Sequence, residues 1–163
     1  MDYHIRNIQH SDNPFLAQII RSCFIELDAP KTGTVYSDPT TDSLYELFEA
    51  KKKSFCLVAE SNNGEILGLC GIYATDGLEP NYGELVKFYL KPEYRGQGIG
   101  KNLMSDCLIK ANEKGYRYIY IETQEVFANA IKLYEDSGFK YLQNSLGNSG
   151  HHNCKIWMLK ELQ

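Results

Sequence analysis

Three glycines in alternate positions, flanked by two cations, form the part of this sequence best suited to bind an anion. The heptapeptide R-G-Q-G-I-G-K occupies residues 95–101, between a strand-like run and a run with helical periodicity. Glycines leave backbone N–H groups uncovered, and at the start of a helix these groups attract negative charge. Arg95 and Lys101 add positive charge at the same place. The heptapeptide predicts an anion site, with phosphate as the favoured ligand; a glycine turn that binds nothing is the alternative.

The spacing of these glycines excludes two well-known phosphate loops. A Walker A loop needs a glycine five residues before the one that precedes its lysine, but that position holds Arg95, and Lys101 is followed by Asn102. The dinucleotide fingerprint G-x-G-x-x-G does not match either, because the glycines at 96, 98 and 100 simply alternate.

A glutamate on the preceding strand is the first candidate for proton transfer. Residues 83–91 follow a period of two, as expected of a strand. The alternation predicts one face made of Glu84, Val86, Phe88 and Leu90, and an opposite face made of Leu85, Lys87 and Tyr89. A carboxylate on such an apolar face lies at a rim, is paired, or is functional. These alternatives stay open at the level of sequence.

The elements that position these residues follow from hydrophobic periodicity and turn signals. Strands are predicted at residues 3–8, 55–60, 66–73, 83–91, 116–123, 139–142 and 154–159. Helices are predicted at residues 11–27, 42–52, 99–111 and 126–137. The order β-α-α-β-β-β-α-β-α-β-β indicates a three-layer α/β domain with a central mixed sheet.

Two long loops and one tight turn connect these elements. Residues 28–41 are rich in small polar residues, and their length favours a lid over the substrate side, with an idle surface loop as the alternative. Residues 144–153 form a glycine-rich loop that contains His151 and His152. One histidine could contact substrate, or both could be exposed. The Asn-Asn-Gly turn at residues 62–64 predicts a hairpin.

Composition limits the classes of function. A chain of 163 residues with 43% apolar content is predicted to form one globular domain over residues 1–163. The net charge of -4 argues against a nucleic-acid partner. Five widely spaced cysteines are expected to be reduced, in a cytoplasmic protein, with neither a disulfide framework nor a metal site. No run is long enough to span a membrane, and residues 1–6 lack a signal-peptide core.

The glycine heptapeptide and a second motif together resemble the GCN5-related N-acetyltransferase (GNAT) family. The second motif, A-I-K-L-Y-E-D-S-G-F at residues 130–139, matches the family's helix pattern in order and separation. The resemblance spans essentially the whole chain and implies a mostly antiparallel central sheet. One position departs from it: many members have Asn where this chain has Phe127. Asn129 lies two places away, and the asparagine's role is not transferred to it.

The resemblance implies an enzyme that moves an acetyl group from acetyl-CoA to a primary amine by direct attack in a ternary complex. Tyr134 is the expected acid and Glu84 the expected base; a core tyrosine and a rim glutamate in an ion pair are the alternatives. The expected cofactor-binding residues are Phe88, Tyr89, Leu90, Arg95, Gly96, Gln97, Gly98, Ile99, Gly100 and Lys101. Backbone N–H groups at Phe88 to Leu90 would stabilise the oxyanion and pair with pantetheine.

The acceptor is a small-molecule or peptide amine of unknown identity, and a homodimer is compatible with the resemblance. Cys154 is not expected to act as a nucleophile, because nothing in the sequence around it would lower its pKa. The competing hypothesis from another class is a CoA-binding sensor or interaction module that keeps the fold without turnover.

Overall fold

The computed structural model describes residues 2–163, in which one seven-stranded sheet separates two layers of helices. The strands are β1 (Tyr3–Asn7), β2 (Phe55–Ser61), β3 (Ile66–Tyr73), β4 (Tyr82–Leu90), β5 (Tyr118–Thr123), β6 (Lys140–Leu142) and β7 (Ile156–Glu161). The helices are α1 (Asn13–Glu26), α2 (Leu44–Glu49), α3 (Ile99–Glu113) and α4 (Ala128–Asp136). The predicted order of elements is confirmed, and the main differences are at their ends, notably in α2, which is five residues shorter than the 42–52 prediction.

The sheet is mixed and mostly antiparallel, as predicted. Its strand order is β1-β2-β3-β4-β5-β7-β6, and the only parallel pair among the described strands is β4 with β5. The hairpin between β2 and β3 forms at the predicted turn, where Gly64 adopts a φ of 84°. That left-handed conformation suits glycine and explains the turn signal in the sequence.

Each face of the sheet has its own hydrophobic core. One core packs α3 and α4 against the sheet through Leu103, Cys107 and Tyr134, and the other packs α1 and α2 through Leu16, Ile20 and Phe48. The apolar stripe that the helical periodicity predicts for α3 faces the α3/α4 core: Ile99, Leu103, Met104, Cys107 and Ala111 are buried, and Leu108 is partly buried. The three-layer prediction is therefore confirmed.

A β-bulge in β4 overturns the predicted alternation of its side chains. Lys87 has a φ of 54°, and the register with β3 shifts between the pairs Leu69 with Tyr89 and Gly71 with Val86. A bulge inserts one extra residue and reverses the side-chain parity beyond it. The α3/α4 core receives Leu85, Phe88 and Leu90, and the α1/α2 core receives Val86 and Tyr89. The prediction that Glu84 shares a face with Phe88 and Leu90 is therefore wrong.

Candidate active site

The sheet opens into a wedge between β4 and β5. The two strands pair only from Tyr82 with Tyr118 to Glu84 with Tyr120, and beyond that point each strand keeps a partner on its other side only. Just after β4, the Lys91 backbone N–H donates to the carbonyl of Leu67 in β3 at 2.9 Å, so the backbone groups of Lys91 face β3. Because backbone groups alternate along a strand, those of Phe88 and Leu90 are directed toward the wedge. An extended ligand could therefore pair with this edge.

The glycine heptapeptide follows β4 and ends in the first turn of α3. Gly96 and Gly98 have φ values of 74° and 83°, and a Cβ added at either would meet no atom within 4 Å. Gly98 is the N-cap of α3 and supplies no side-chain cap, so the first N–H groups of that helix keep their donor capacity. The loop thus combines free donors, open space and the positive end of a helix dipole, which fits a diphosphate group.

The side chains of the heptapeptide differ in what they can do. Arg95 is committed to the protein: it donates to Glu26 at 2.9 Å, to the Leu90 carbonyl at 3.1 Å and to the Cys23 thiol at 3.3 Å. Ile99 is buried in the α3/α4 core, so only its backbone faces the loop. Lys101 is exposed in the first turn of α3. The backbone and Lys101 are thus better placed than the Arg95 side chain to meet phosphates.

Glu84 lies at the closed end of the wedge, buried and paired with a hydroxyl group. Its side chain accepts a hydrogen bond from the Thr75 hydroxyl, and the residue is only 3% exposed. Burial raises the pKa of Glu84 to about 7; the nearby Glu122 charge also raises it, while Thr75 and Lys87 lower it. The alternative of a rim glutamate in an ion pair is therefore wrong. Glu84 can exchange a proton near neutral pH.

Tyr134 reaches the same cavity from α4. It lines the cavity together with Glu84 and Phe88, and its ring lies 6.1 Å from that of Phe88 and 5.8 Å from that of Phe139. Burial raises the pKa of Tyr134 well above its ordinary value, so the phenol stays protonated. Tyr134 is thus both part of the core and a lining residue, and the structure brings the two predicted catalytic residues into one cavity.

Aromatic side chains form the wall of the cavity on the α1 side. Phe127, at the position where many GNAT members have Asn, packs edge-on against Phe24 at 5.3 Å and against Tyr89 at 6.0 Å. Tyr89 is therefore part of this wall through its ring, and its backbone faces β3. Asn129 is exposed on α4. The departure at Phe127 makes the wall apolar where an amide would have made it polar.

The two long loops meet above this cavity. Asn153 donates its side-chain N–H to the Thr32 carbonyl at 2.6 Å, and His151 Nε2 lies 3.7 Å from Asp38 Oδ2. His151 lines the cavity, whereas His152 is exposed. Burial lowers the pKa of His151, and Lys87 lowers it further. Residues 28–41 therefore contribute Thr34 and Val35 to the lining of the cavity, and their role as a lid stays a prediction.

The Cys154 thiol lines the same cavity and is the candidate for nucleophilic chemistry there. Burial raises the pKa of the Cys154 thiol to about 12, so the reactive thiolate is disfavoured, in line with the sequence analysis. Among residues 2–163, no group of three or more His, Cys, Asp or Glu side chains is arranged to hold a metal ion.

Within the same residues, no helix combines the length and apolar character needed to cross a membrane.

Sequence reasoning missed three charged residues that line or border the cavity. The alternation along β4 predicts that Lys87 faces away from Glu84, because it gives no sign of the bulge. Asp38 lies in a loop whose shape the sequence does not specify. Glu122, which accepts hydrogen bonds from the Tyr120 and Ser149 hydroxyls at 2.8 and 2.5 Å, could have been found, since it ends a run of alternate tyrosines on β5.

Comparison with known proteins gives consistent results. The uncharacterized N-acetyltransferase YjgM of Escherichia coli is 36% identical over 160 residues, which cover 97% of this chain and 94% of YjgM. A GNAT-family acetyltransferase from Staphylococcus aureus Mu50 superposes with a TM-score of 0.86 at 21% identity, covering 99% of both chains. A phosphinothricin acetyltransferase from Sinorhizobium meliloti, in complex with acetyl-CoA, has a TM-score of 0.78 at 20% identity and covers 99% of this chain and 89% of its own.

The family model described as the acetyltransferase (GNAT) family matches residues 14–139, a range that includes the wedge, the glycine heptapeptide and Tyr134. With this match and the YjgM relative, the chain belongs to the GNAT acetyltransferase family.

Proposed function

We propose that this protein is an acetyl-CoA-dependent N-acetyltransferase that moves the acetyl group directly to a primary amine in a ternary complex. The observation that carries the proposal is the wedge between β4 and β5, which has the glycine heptapeptide at its open end and Glu84 at its closed end. The S. meliloti relative of similar fold is described in complex with acetyl-CoA, which supports the choice of donor.

The residues around the wedge fit CoA in chemical terms. The backbone of residues 96–101 would hold the diphosphate, because its N–H groups are free and added Cβ atoms at Gly96 and Gly98 would meet open space. The wedge-directed backbone of Phe88 and the N–H of Leu90 would pair with the amides of pantetheine, since the Leu90 carbonyl already accepts a hydrogen bond from Arg95. The bound thioester supplies an electrophilic carbonyl carbon, whose developing oxyanion needs N–H donors fixed in advance.

Glu84 is proposed to accept the proton of the acceptor amine, directly or through water. An alkyl ammonium has a pKa near ~10.4, so only about one molecule in a few thousand is nucleophilic at pH 7. A carboxylate with a pKa of about 7 is a stronger base than an ordinary glutamate and is still ionised in part of the population at neutral pH. Burial therefore tunes Glu84 toward this role.

Tyr134 is proposed to donate a proton to the departing sulfur. Transfer from a phenol (pKa ~10) to a thiolate (~8.5) is uphill by about 2 kcal/mol, and the burial of Tyr134 increases that cost. The tyrosine should therefore assist modestly. Direct transfer is favoured over an acyl-enzyme because the Cys154 thiol, which lines the cavity, has a pKa of about 12.

The test is a coupled measurement of thiol release and acetylated product. Purified protein and acetyl-CoA are mixed with a panel of primary amines that includes polyamines, amino acids and lysine peptides, and the products are identified by mass spectrometry. We expect thiol release that depends on one or more amines, with an equal amount of acetylamine. Tight CoA binding without amine-dependent thiol release would contradict the proposal and favour the non-catalytic CoA-binding module.

A further inference from the structure

The bulge residue of β4 is a buried lysine with no partner. Lys87 is 6% exposed and lines the cavity, yet among residues 2–163 its ammonium group takes part in no hydrogen bond or ion pair. It also holds a φ of 54°, which is uncommon for a residue with a long side chain. Such strain persists only where the surrounding structure imposes it, and it concentrates at functional sites.

The carboxylates near Lys87 are already engaged elsewhere. Asp38 accepts hydrogen bonds from the Thr40 backbone and hydroxyl at 2.9 and 2.8 Å, and it also faces His151. Glu84 accepts from Thr75, and Glu122 accepts from two hydroxyl groups. Asp38 and Glu84 therefore attract the lysine through space without pairing with it, and burial lowers the pKa of Lys87. The Lys87 side chain is largely buried, and its ammonium has no partner in the protein but keeps an opening to the cavity, so an anionic ligand there would supply the missing partner.

This anion is not the CoA diphosphate. Lys87 lines the cavity together with Phe24, Val35 and Tyr89, which belong to the α1/α2 core. The glycine heptapeptide leads into α3 on the opposite face, where Phe88, the residue after the bulge, comes within 3.4 Å of a Cβ added at Gly100. The Lys87 ammonium therefore lies on the α1/α2 side of the cavity, away from the heptapeptide. This is the side that we assign to the acceptor amine, and we call it the acceptor side.

The acceptor side presents both signs of charge. Glu84 and Glu122 lie in the cavity and suit the cationic amine, and Lys87 offers a donor for an acidic group. The aromatic wall of Phe24, Tyr89 and Phe127 adds an apolar surface beside them.

We propose that Lys87 binds the acidic group of the acceptor, and that the acceptor is an amine that also bears a carboxylate, as a free amino acid does. This inference rests on the proposed function and narrows its substrate class. Lys87 is a specificity-determining residue in this scheme, because it contacts the acceptor away from the atoms that react.

The test compares amino acids with their α-carboxamides as acceptors. Each pair keeps the side chain and the amine and replaces the carboxylate with a neutral group. Rates of thiol release are expressed per concentration of unprotonated amine, because the amide lowers the amine's own pKa. Wild-type protein should prefer the acids, and Lys87→Met, which keeps the apolar stem, should lower kcat/KM for acids by about 10–100-fold, the range for one charge-assisted hydrogen bond. On the carboxamides, Lys87→Met should cause a smaller loss, since there it removes only the effect of the lysine on the pKa of Glu84, so the ratio of kcat/KM for acid to that for carboxamide is the readout.

Two further variants sharpen the comparison. Lys87→Arg keeps a cation and should retain a preference for acids, whereas Lys140→Met removes an exposed lysine on β6 and should leave both classes unchanged. Calorimetric titration of CoA-loaded protein with N-acetylamino acids and their amides adds a readout that does not need turnover. An aminophosphonate arm distinguishes a site for carboxylate from one for any acidic group.

The outcomes separate this inference from the proposed function. Amine acetylation without a preference for acids, or an equal loss on acids and carboxamides in Lys87→Met, would overturn the inference and leave the acetyltransferase standing. Absence of acetylation across the whole panel, together with equal binding of N-acetylamino acids and their amides, would overturn both.

Discussion

A buried glutamate next to a buried lysine gives this cavity its chemical character. Glu84 has its pKa raised to about 7 and Lys87 has its pKa lowered, both chiefly because burial disfavours the charged form. Residues with such shifted pKa values cluster at functional sites, since catalysis near neutral pH needs groups that can gain and lose protons there. The predictions at this scale address the proton acceptor and the proton donor.

Replacing Glu84 should change the shape of the pH–rate profile. If Glu84 accepts the amine proton, kcat/KM of the wild type should rise as pH passes through about 7, where the carboxyl ionises. Glu84→Gln should lose that inflection and be most impaired at low pH, and a higher pH should restore much of the loss because it supplies free amine. Profiles for both proteins with one good amine substrate are the measurement. Parallel profiles would remove Glu84 from the mechanism.

Replacing Tyr134 should lower kcat while CoA binding stays nearly intact. Tyr134→Phe keeps the ring contacts with Phe88 and Phe139 and removes only the hydroxyl. General acid catalysis contributes ~10²–10⁴-fold, and the raised pKa of this phenol favours the low end of that range. Single-turnover rates and CoA titration separate the two effects. An unchanged chemical step would assign Tyr134 to the core alone.

At the scale of elements, the junction between β4 and α3 determines how an anion is held. Two glycines with positive φ values turn the chain so that the first N–H groups of α3 face open space, and Arg95 fixes the loop to the end of α1 through Glu26. The Arg95 side chain, predicted to bind the cofactor, is thus engaged within the protein, and its contact with a phosphate stays a prediction. The backbone N–H groups of the loop are the donors proposed to bind the diphosphate.

Replacing Gly98 should weaken CoA binding severely. Gly98→Val places a β-branched side chain at a φ of 83° and puts a Cβ in the space proposed for the diphosphate. We expect a loss of at least about 100-fold in CoA affinity by calorimetry, as roughly two charge-assisted hydrogen bonds would be lost. Gly64→Val is the matched control, because Gly64 has a φ of 84° in the β2–β3 turn. Unaltered CoA affinity in a folded Gly98→Val protein would contradict the assignment of the loop.

At the scale of the whole molecule, the wedge links catalysis to stability. The opening of the sheet between β4 and β5 is the proposed substrate site, and Glu84 is buried at the point where the strands part. A carboxyl whose pKa is higher in the folded than in the unfolded protein binds its proton more tightly when folded. Its contribution therefore favours the folded state at low pH and is lost as pH rises from about 4.5 to above 7.

The pH dependence of unfolding should consequently differ between wild type and Glu84→Gln. Since the glutamine is neutral throughout, the variant should be spared a destabilisation of roughly 3 kcal/mol that the wild type suffers between pH 4 and pH 8. Urea unfolding at several pH values measures the difference between the two proteins, which cancels the other titrating groups. A constant difference across this range would show that Glu84 has an ordinary pKa.

The sequence by itself determined the family, the order of elements and the two motifs of the site. Periodicity revealed α3 and its buried stripe because a helix that packs on a sheet must repeat its apolar residues every three to four positions. The glycine heptapeptide likewise predicts the turn between β4 and α3, since only glycine adopts the positive φ values of Gly96 and Gly98 freely. Glu84 and Tyr134 were named from the same local patterns and the family resemblance.

Only the tertiary structure decided how these residues meet. The bulge at Lys87 is a property of the pairing between β3 and β4, and it reverses the side-chain parity that alternation predicts, so Glu84 and Phe88 point to opposite faces. Burial raises the pKa of Glu84 and lowers that of Lys87, and the hydrogen bond from Thr75 and the charges of Asp38 and Glu122 modify these shifts. These contacts join residues from separate elements and loops of the chain. Local sequence encodes periodicity and turn geometry, whereas pKa values and charge pairing arise from contacts that exist only after the sheet and its two loops have come together.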